Sequence, residues 1–215
     1  MSSLTVELRL GHPLEDIHPT LSNGPGWRIP FWTQGCSLRC TAHCLNPNFL
    51  EPSGGWIRTV VDIVGAIQNV IENSPHSVEG ITMLGGEPTD QAEAVTFLFR
   101  AVRSLGLSTF LYSGMSLDQL YRRHGALLAE TDLVMDGHFD PKRYSETASW
   151  RGSDNQRLHS MGSRYEGAEL DAAFRRQGKS ASVRLAPNGA FSISGLQSPK
   201  SLVHRSSQKV HQSVR

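Results

Sequence analysis

No apolar run in this 215-residue chain approaches the roughly 20 residues that a bilayer-spanning helix needs. The opening stretch, Met1 to Glu7, lacks the apolar core of a signal peptide. Neither a membrane nor export is therefore expected. Charge of one sign is also missing: 21 Lys and Arg against 20 Asp and Glu leave a net charge of +1. Such a chain has no basic field to hold nucleic acid by its phosphates. No internal repeat is visible. Cysteine is scarce, with three in the whole chain, an odd count that cannot close a disulfide framework. Unpaired thiols without an export signal point to the reducing cytoplasm. The length suits one domain with a small appendage and a real buried core.

The three cysteines are nevertheless neighbours. Cys36, Cys40 and Cys44 lie in Gly35-Cys-Ser-Leu-Arg-Cys-Thr-Ala-His-Cys44. Free cysteine is often a small buried hydrophobe, but Ser37, Arg39, Thr41 and His43 make this no core strand. Clustered thiolates repel one another unless a soft cation neutralises them. They select Zn, Cu(I) or an iron–sulfur centre. A structural zinc site wants four protein ligands, and thiol supplies three. An iron–sulfur cluster held by three cysteines keeps one iron open to a small molecule.

The rest of the chain reads as alternating strands and helices. Residues 4–10 alternate as a first strand, and Trp27 to Thr33 forms a strand running into the cysteine loop. Pro30 places that strand at an edge or at a bulge. Thr59 to Asn73 is an amphipathic helix, with Val60, Val61, Ile63, Val64, Ile67, Val70 and Ile71 as its apolar stripe. Thr59 and Asp62 approach a capping box. Gly80 to Leu84 is a buried strand ending in Gly85-Gly-Glu-Pro88. A helix over 91–105, with Leu105 inward and Gly106 as its C-cap, leads to a strand over 107–112 and the turn Ser113-Gly114. A helix over 117–128 and a strand over 132–136 complete the alternation. This pattern predicts an α/β fold with parallel strands, whose ligand sites gather at the strands' carboxyl ends. The cysteine loop, Gly85-Gly-Glu-Pro, Ser113-Gly and Asp136-Gly would then share one rim. Regularity fades beyond Gly137, around Trp150-Arg-Gly-Ser-Asp-Asn-Gln-Arg157. Ser182 to Ser194 reads as a hairpin turning at Asn188-Gly189. The Ser/Lys/Arg/His-rich tail over 197–215 has too few apolar residues to fold.

Four stretches resemble one family. They are Asn23-Gly-Pro-Gly-Trp-Arg28, the strand into Gln34-Gly-Cys-Ser-Leu-Arg-Cys40, Gly85-Gly-Glu-Pro88, and Leu133-Val-Met-Asp-Gly137 followed by Trp150 to Arg157. In order and spacing they resemble the radical S-adenosylmethionine (SAM) enzymes. They are most similar to anaerobic ribonucleoside-triphosphate reductase activating proteins, relatives of the pyruvate formate-lyase activating enzymes. The resemblance implies a partial (β/α)6 barrel over 1–165, with a cluster loop at 35–47. A linker and hairpin extension over 166–196 and the tail would follow. It implies that Cys36, Cys40 and Cys44 hold a [4Fe–4S] cluster whose open iron is chelated by SAM. Gly85, Gly86, Glu87 and Pro88 would lie along the methionyl end of SAM, with Ser113 and Asp136 as further cofactor contacts. Trp150, Arg151, Asn155 and Arg157 would touch SAM or the substrate. The implied reaction is reductive cleavage of SAM to a 5′-deoxyadenosyl radical, which takes a hydrogen atom from a glycine of a partner enzyme. A low-potential donor such as flavodoxin or ferredoxin would supply the electron.

One departure stands out. The family spacing is C-x3-C-x2-C with an aromatic residue before the last cysteine. Here it is C-x3-C-x3-C, with His43 before Cys44. Either the extra residue bulges and Cys44 keeps its place, or His43 takes the third ligand position. Alternative readings are a radical SAM enzyme acting on another peptide or a small molecule, a non-catalytic iron–sulfur protein, and a zinc module.

Overall fold

The computed structural model describes residues 5–145, 150–165, 170, 181–185 and 191–195. Seven strands form one open mixed sheet in the order β3-β1-β2-β4-β5-β6-β7. They are β1 (Glu7–Leu10), β2 (Trp27–Thr33), β3 (Trp56–Thr59), β4 (Val78–Gly85), β5 (Ser108–Tyr112), β6 (Leu133–Asp136) and β7 (Arg157–Ser160). The middle four, β2, β4, β5 and β6, pair in parallel. Strands β1, β3 and β7 add antiparallel flanks. Edge strands β3 and β7 lie at opposite ends of the strand order. The expected hairpin is present as an antiparallel pair, β8 (Ala181–Leu185) with β9 (Phe191–Gly195). The turn expected at Asn188-Gly189 and the tail lie outside the described residues. No helix among the described residues is long and apolar enough to cross a membrane.

Helix α1 (Val60–Asn73) follows β3, and its capping box is complete. The Thr59 side chain accepts the Asp62 N–H while the Asp62 carboxylate accepts the Thr59 N–H. Such a cap stabilises a helix by about 1 kcal/mol. The buried stripe is narrower than the sequence suggests: Val60, Ile63 and Ile67 are inside, whereas Val61 points to solvent. Helix α2 (Ala92–Ser104) buries Ala94, Val95, Leu98, Phe99 and Val102. Leu105, expected inward, is exposed because the helix has ended and Gly106 turns the chain at φ +81°. The expected helix over 117–128 is two pieces, α3 (Leu117–Arg123) and α4 (Gly125–Ala129). His124 breaks it at φ −135° and ψ 38°, just ahead of Gly125.

Side-chain alternation along the strands divides the core in two. Ile29, Phe31, Ile81, Met83, Leu111 and Val134 join the helices in the main cluster. The intervening Phe110, Leu133 and Met135 pack with Trp150 on the other face. Strand β2 is interior, contrary to the edge placement that Pro30 implied. The proline is tolerated because β1 meets β2 only at Leu10 opposite Thr33, beyond Pro30. A bulge between Trp27 and Arg28 also loosens the ladder just before it.

Arg28 is fully buried on the second face. Its guanidinium donates to Thr82 Oγ1 (2.8 Å), Ser108 Oγ (2.7 Å), Tyr165 Oη (3.3 Å), Ile81 O (2.6 Å) and Ser108 O (3.3 Å). Tyr165 in turn donates to the Glu79 carboxylate. Burial pulls the Arg28 pKa down from the ordinary guanidinium value, and the nearby Tyr165 and Glu79 oppose that.

Candidate functional site

The carboxyl ends of β2, β4, β5 and β6 lie side by side, and each opens into one of the loops marked in the sequence. Thr33 pairs with Gly85, and Tyr112 with Met135. The cysteine loop hangs from this rim by backbone bonds. Gly35 N–H donates to Phe49 O at 2.9 Å and Cys36 N–H to Leu50 O at 3.0 Å, closing the loop on itself. Gly86 N–H donates to Thr33 O and Glu87 N–H to Gly35 O, both at 2.9 Å, which ties the loop to the turn after β4. The approach is so close that a Cβ on Gly86 would collide with the Gly35 carbonyl and lie 2.6 Å from Phe49 O. Gly85 has φ +125° and passes equally close to the Thr33 backbone. The two glycines are therefore required by packing between main chains.

The other loops touch the same place. A Cβ on Gly114 would meet the Leu38 side chain at 2.8 Å, and one on Gly152 would meet Leu45 at 2.9 Å and Phe139 at 2.8 Å. Gln156 organises the last loop: its Oε1 accepts the N–H groups of Gly152 (2.8 Å) and Ser153 (3.2 Å), and its Nε2 donates to Gly137 O (3.0 Å). Asn155 Nδ2 donates to His138 O at 2.7 Å.

Cys36 and Cys44 are half-buried and Cys40 is exposed. Burial, then the neighbouring Cys36 sulfur, pushes the Cys40 thiol above its ordinary pKa, while its own N–H and that of Phe139 pull it down. Burial also pushes Cys44 up, as do Cys40 and Cys36, against the Asn46 N–H, which lies 3.4 Å from its sulfur. The Asn46 N–H is thus a backbone donor aimed at the Cys44 sulfur. Among the described residues no three His, Cys, Asp or Glu groups converge as ligands of a single metal ion. Cysteines that each bind a different iron of a cluster do not have to. Ala42 and His43 form a turn, in which the Thr41 hydroxyl accepts the His43 N–H at 3.1 Å. His43 is exposed and Cys44 is half-buried.

Several residues expected to contact a ligand are engaged with the protein. Glu87 is 2% exposed. Its Oε1 accepts from Thr89 N–H (3.1 Å), Thr89 Oγ1 (2.7 Å) and Ser113 Oγ (2.9 Å), and its Oε2 from Gly114 N–H (2.9 Å). Burial raises its pKa against these four bonds. Ser113 Oγ also accepts the Met115 N–H at 3.0 Å. Pro88 is buried at the start of a 3-10 turn, Pro88–Gln91. Asp136 points to the helix side, as its strand parity with the core residue Val134 requires. Its Oδ2 accepts the Leu117 N–H at 2.8 Å, and its Oδ1 lies 3.0 Å from His159 Nε2 without hydrogen-bond alignment. Trp150 is buried at φ +59°, and its carbonyl accepts the Tyr112 hydroxyl at 2.7 Å. Arg151 reaches Gln156 O at 3.3 Å and Asp154 at 3.4 Å. Arg157 is exposed on β7, opposite Asp136.

Sequence reasoning passed over the residues that sew these loops together. Asp90 binds Ser37 through its N–H (2.6 Å) and hydroxyl (2.5 Å). Gln91 bonds Arg9 through both backbone groups, at 2.8 and 3.0 Å. Gln34 donates to Asn48 O (3.2 Å) and Glu51 O (2.7 Å). Asp90 and Gln91 follow Gly85-Gly-Glu-Pro88 closely, and Gln34 and Gln156 lie within marked stretches; that placement was the available signal.

Residues 22–159 match the family model described as a 4Fe-4S single cluster domain. The chain is 29% identical over 147 residues to the anaerobic ribonucleoside-triphosphate reductase-activating protein of Haemophilus influenzae, covering 66% of this chain and 94% of that one. To the protein of the same name in Vibrio cholerae it is 29% identical over 141 residues, covering 64% and 90%. To the pyruvate formate-lyase 1-activating enzyme of Escherichia coli K12 it is 34% identical over 113 residues, covering 53% and 46%. With most of its length inside that match, the chain belongs to the 4Fe-4S single cluster domain family.

Proposed function

We propose that the protein is a glycyl-radical activase, in which Cys36, Cys40 and Cys44 hold a [4Fe–4S] cluster and the surrounding rim receives SAM. The observation that carries this reading is the convergence of loops on one rim: Gly35 against Gly86, Leu38 against Gly114, and both Leu45 and Phe139 against Gly152. When bound, cluster and SAM together supply a carbon-centred radical able to take a hydrogen atom from a substrate glycine, whose product radical is delocalised over the adjoining amides.

The chain's own residues position and shield this chemistry. The half-buried Asn46 N–H moderates negative charge on the Cys44 sulfur. Cys44 is the third ligand in this reading: it is half-buried with the Asn46 N–H on its sulfur, whereas His43 is exposed. Gly85 and Gly86 let the backbone approach SAM closely, and Pro88 fixes the turn behind them. Glu87 and Ser113 act by holding that turn and the Ser113-Gly114 turn in register. Asp136 acts from behind, through the start of α3. Arg157, with Arg151 and Asn155 beside it, faces the partner, whose backbone carbonyls suit a guanidinium. Trp150 anchors their loop on the inner face of the sheet. That face, from Arg28 to Met135, is read as the lumen of a partial (β/α)6 barrel spanning residues 1–165, with 166–196 as an extension and 197–215 as a tail. The partner is a glycyl-radical enzyme of the kind the relatives' names give, a ribonucleoside-triphosphate reductase. The electron comes from a low-potential donor such as flavodoxin or ferredoxin, and the setting is cytoplasmic.

Anaerobic reconstitution with iron and sulfide tests the reading. The expected result is a brown protein that forms 5′-deoxyadenosine from SAM under reduction. Mixed with its reductase partner, it should give a glycyl radical by electron paramagnetic resonance. Material that binds no iron and sulfide, or that leaves SAM intact, would refute it.

A further inference from the structure

The cysteine loop is fastened to the chain by one carboxylate that no cofactor-binding role requires. Asp90 lies two residues past Pro88, in the 3-10 turn that follows Glu87. Both of its oxygens are engaged by the residue after Cys36: Oδ2 accepts the Ser37 N–H at 2.6 Å and Oδ1 accepts the Ser37 hydroxyl at 2.5 Å. The grip is two-pointed, so it fixes the orientation of the Cys36–Ser37 peptide as well as its position. Asp90 is in turn fixed by its own N–H, which donates to Glu87 O at 3.1 Å. Among the described residues the loop's ion pair, Arg39 with Glu51 at 2.9 Å, is exposed and neutralises neither Asp90 oxygen.

Two physical consequences follow. The Ser37 N–H is consumed by Asp90, so it cannot be turned toward a sulfur. A full negative charge is also held one residue from a cluster ligand. Both make an added electron on a cluster less favourable, since hydrogen bonds to sulfur and nearby cations raise a cluster's potential and their removal lowers it. We propose that Asp90 is a positioning residue that, through Ser37, fixes the Cys36 arm of the loop and lowers the reduction potential of the cluster. The inference rests on the cluster reading above.

The test is a redox titration of reconstituted protein, followed by the cluster's paramagnetic signal, with iron and sulfide content measured alongside. Asp90→Asn removes the charge and keeps the shape. It should make one-electron reduction easier by about tenfold, a positive shift of about 59 mV, with iron content retained. The shift should shrink at high salt, because Asp90 is exposed and its field is screened. Ser37→Ala keeps the charge and the N–H bond, and its potential should stay near that of the unmodified protein. Asp90→Glu restores the charge and should move the potential back, even if loading is incomplete, because the potential is read on the loaded fraction. An Asp90→Asn potential equal to the unmodified one overturns the inference and leaves the cluster reading standing. Unmodified protein that takes up no iron and sulfide overturns both.

Discussion

Replacing Glu87 with Gln separates a residue that holds the site together from one that only touches a ligand. In the protein its carboxylate takes three bonds on Oε1 and one on Oε2, and all four donors belong to the two turns at the rim. A Gln can keep its oxygen where Oε1 lies, so the bonds from Thr89 and Ser113 survive in neutral form. Its amide nitrogen must then face the Gly114 N–H, donor against donor. Leaving a buried donor unsatisfied costs about 1–3 kcal/mol. An opposing term exists: burial raises the Glu87 pKa, so the site disfavours the ionised form and loss of the charge returns part of that cost. The net expectation is a loss of about 1–2 kcal/mol for Gln. Glu87→Ala orphans all four donors and leaves a void, for a loss of about 3–5 kcal/mol. Urea unfolding of cluster-free protein, without SAM, reads both values at constant slope. The order unmodified, Gln, Ala is required. A Gln variant as stable as the unmodified protein would show that the four bonds carry no net weight, and the structural role assigned to Glu87 would fail.

Gly86→Ala should destabilise by about 2–4 kcal/mol, since its Cβ meets backbone that cannot step aside. Gly65→Ala, in open space within α1, should stabilise by about 0.5–1 kcal/mol, and the same urea assay measures both. Arg28→Ala should cost about 3–5 kcal/mol by denaturant unfolding, because it opens a cavity in the core and strips Thr82, Ser108 and Ile81 of their buried donor. His12 is held neutral: its Nε2 accepts the Trp32 N–H at 3.2 Å, its Nδ1 faces Pro13 O at 3.1 Å, and burial lowers its pKa below 6.5. The unfolded chain therefore takes up the proton first. The stability that His12 contributes is complete above pH 6.5 and falls as the pH drops from there toward its folded value. Unfolding midpoints between pH 7.5 and 5 should show that loss, and His12→Leu should reduce it; equal pH slopes in the two proteins would refute the assignment.

The alternation of strand and helix, the capping box at Thr59 and the gathering of loops at the strands' carboxyl ends were legible because each rests on local pattern. Two strands were not. Strand β3, Trp56–Thr59, is four residues of mixed polarity behind two glycines, and its partner β1 lies about fifty residues away in the chain. Strand β7 is equally short, and its antiparallel pairing with β6 depends on the Gln156 and Asn155 bonds that bring the loop back. Neither carries a period long enough to detect. Of the edge or bulge that Pro30 implied, β2 has a bulge, at Trp27 and Arg28, but is no edge; the rule against proline in interior strands assumes a complete ladder on both sides. Here one side ends at Leu10.

The site shows a different limit. The family resemblance and their place just after strands suggested that Glu87, Ser113 and Asp136 face a ligand. Parity decides Asp136: it shares a face with Val134, so it must point toward the helices, and there it caps the start of α3. Burial decides Glu87 and Ser113, whose polar atoms could not sit at 2% and 5% exposure without the partners they have. A rim built from four loops needs internal ties, since loops supply few backbone bonds of their own. The polar residues nearest the loops are drawn into that task first. The thiols of the cysteine loop are the groups such ties use least: among the described residues, only Cys44 of the three takes a backbone hydrogen bond, from Asn46. Substitutions at the tying residues should therefore act on stability before they act on chemistry, and those at the cysteines in the reverse order.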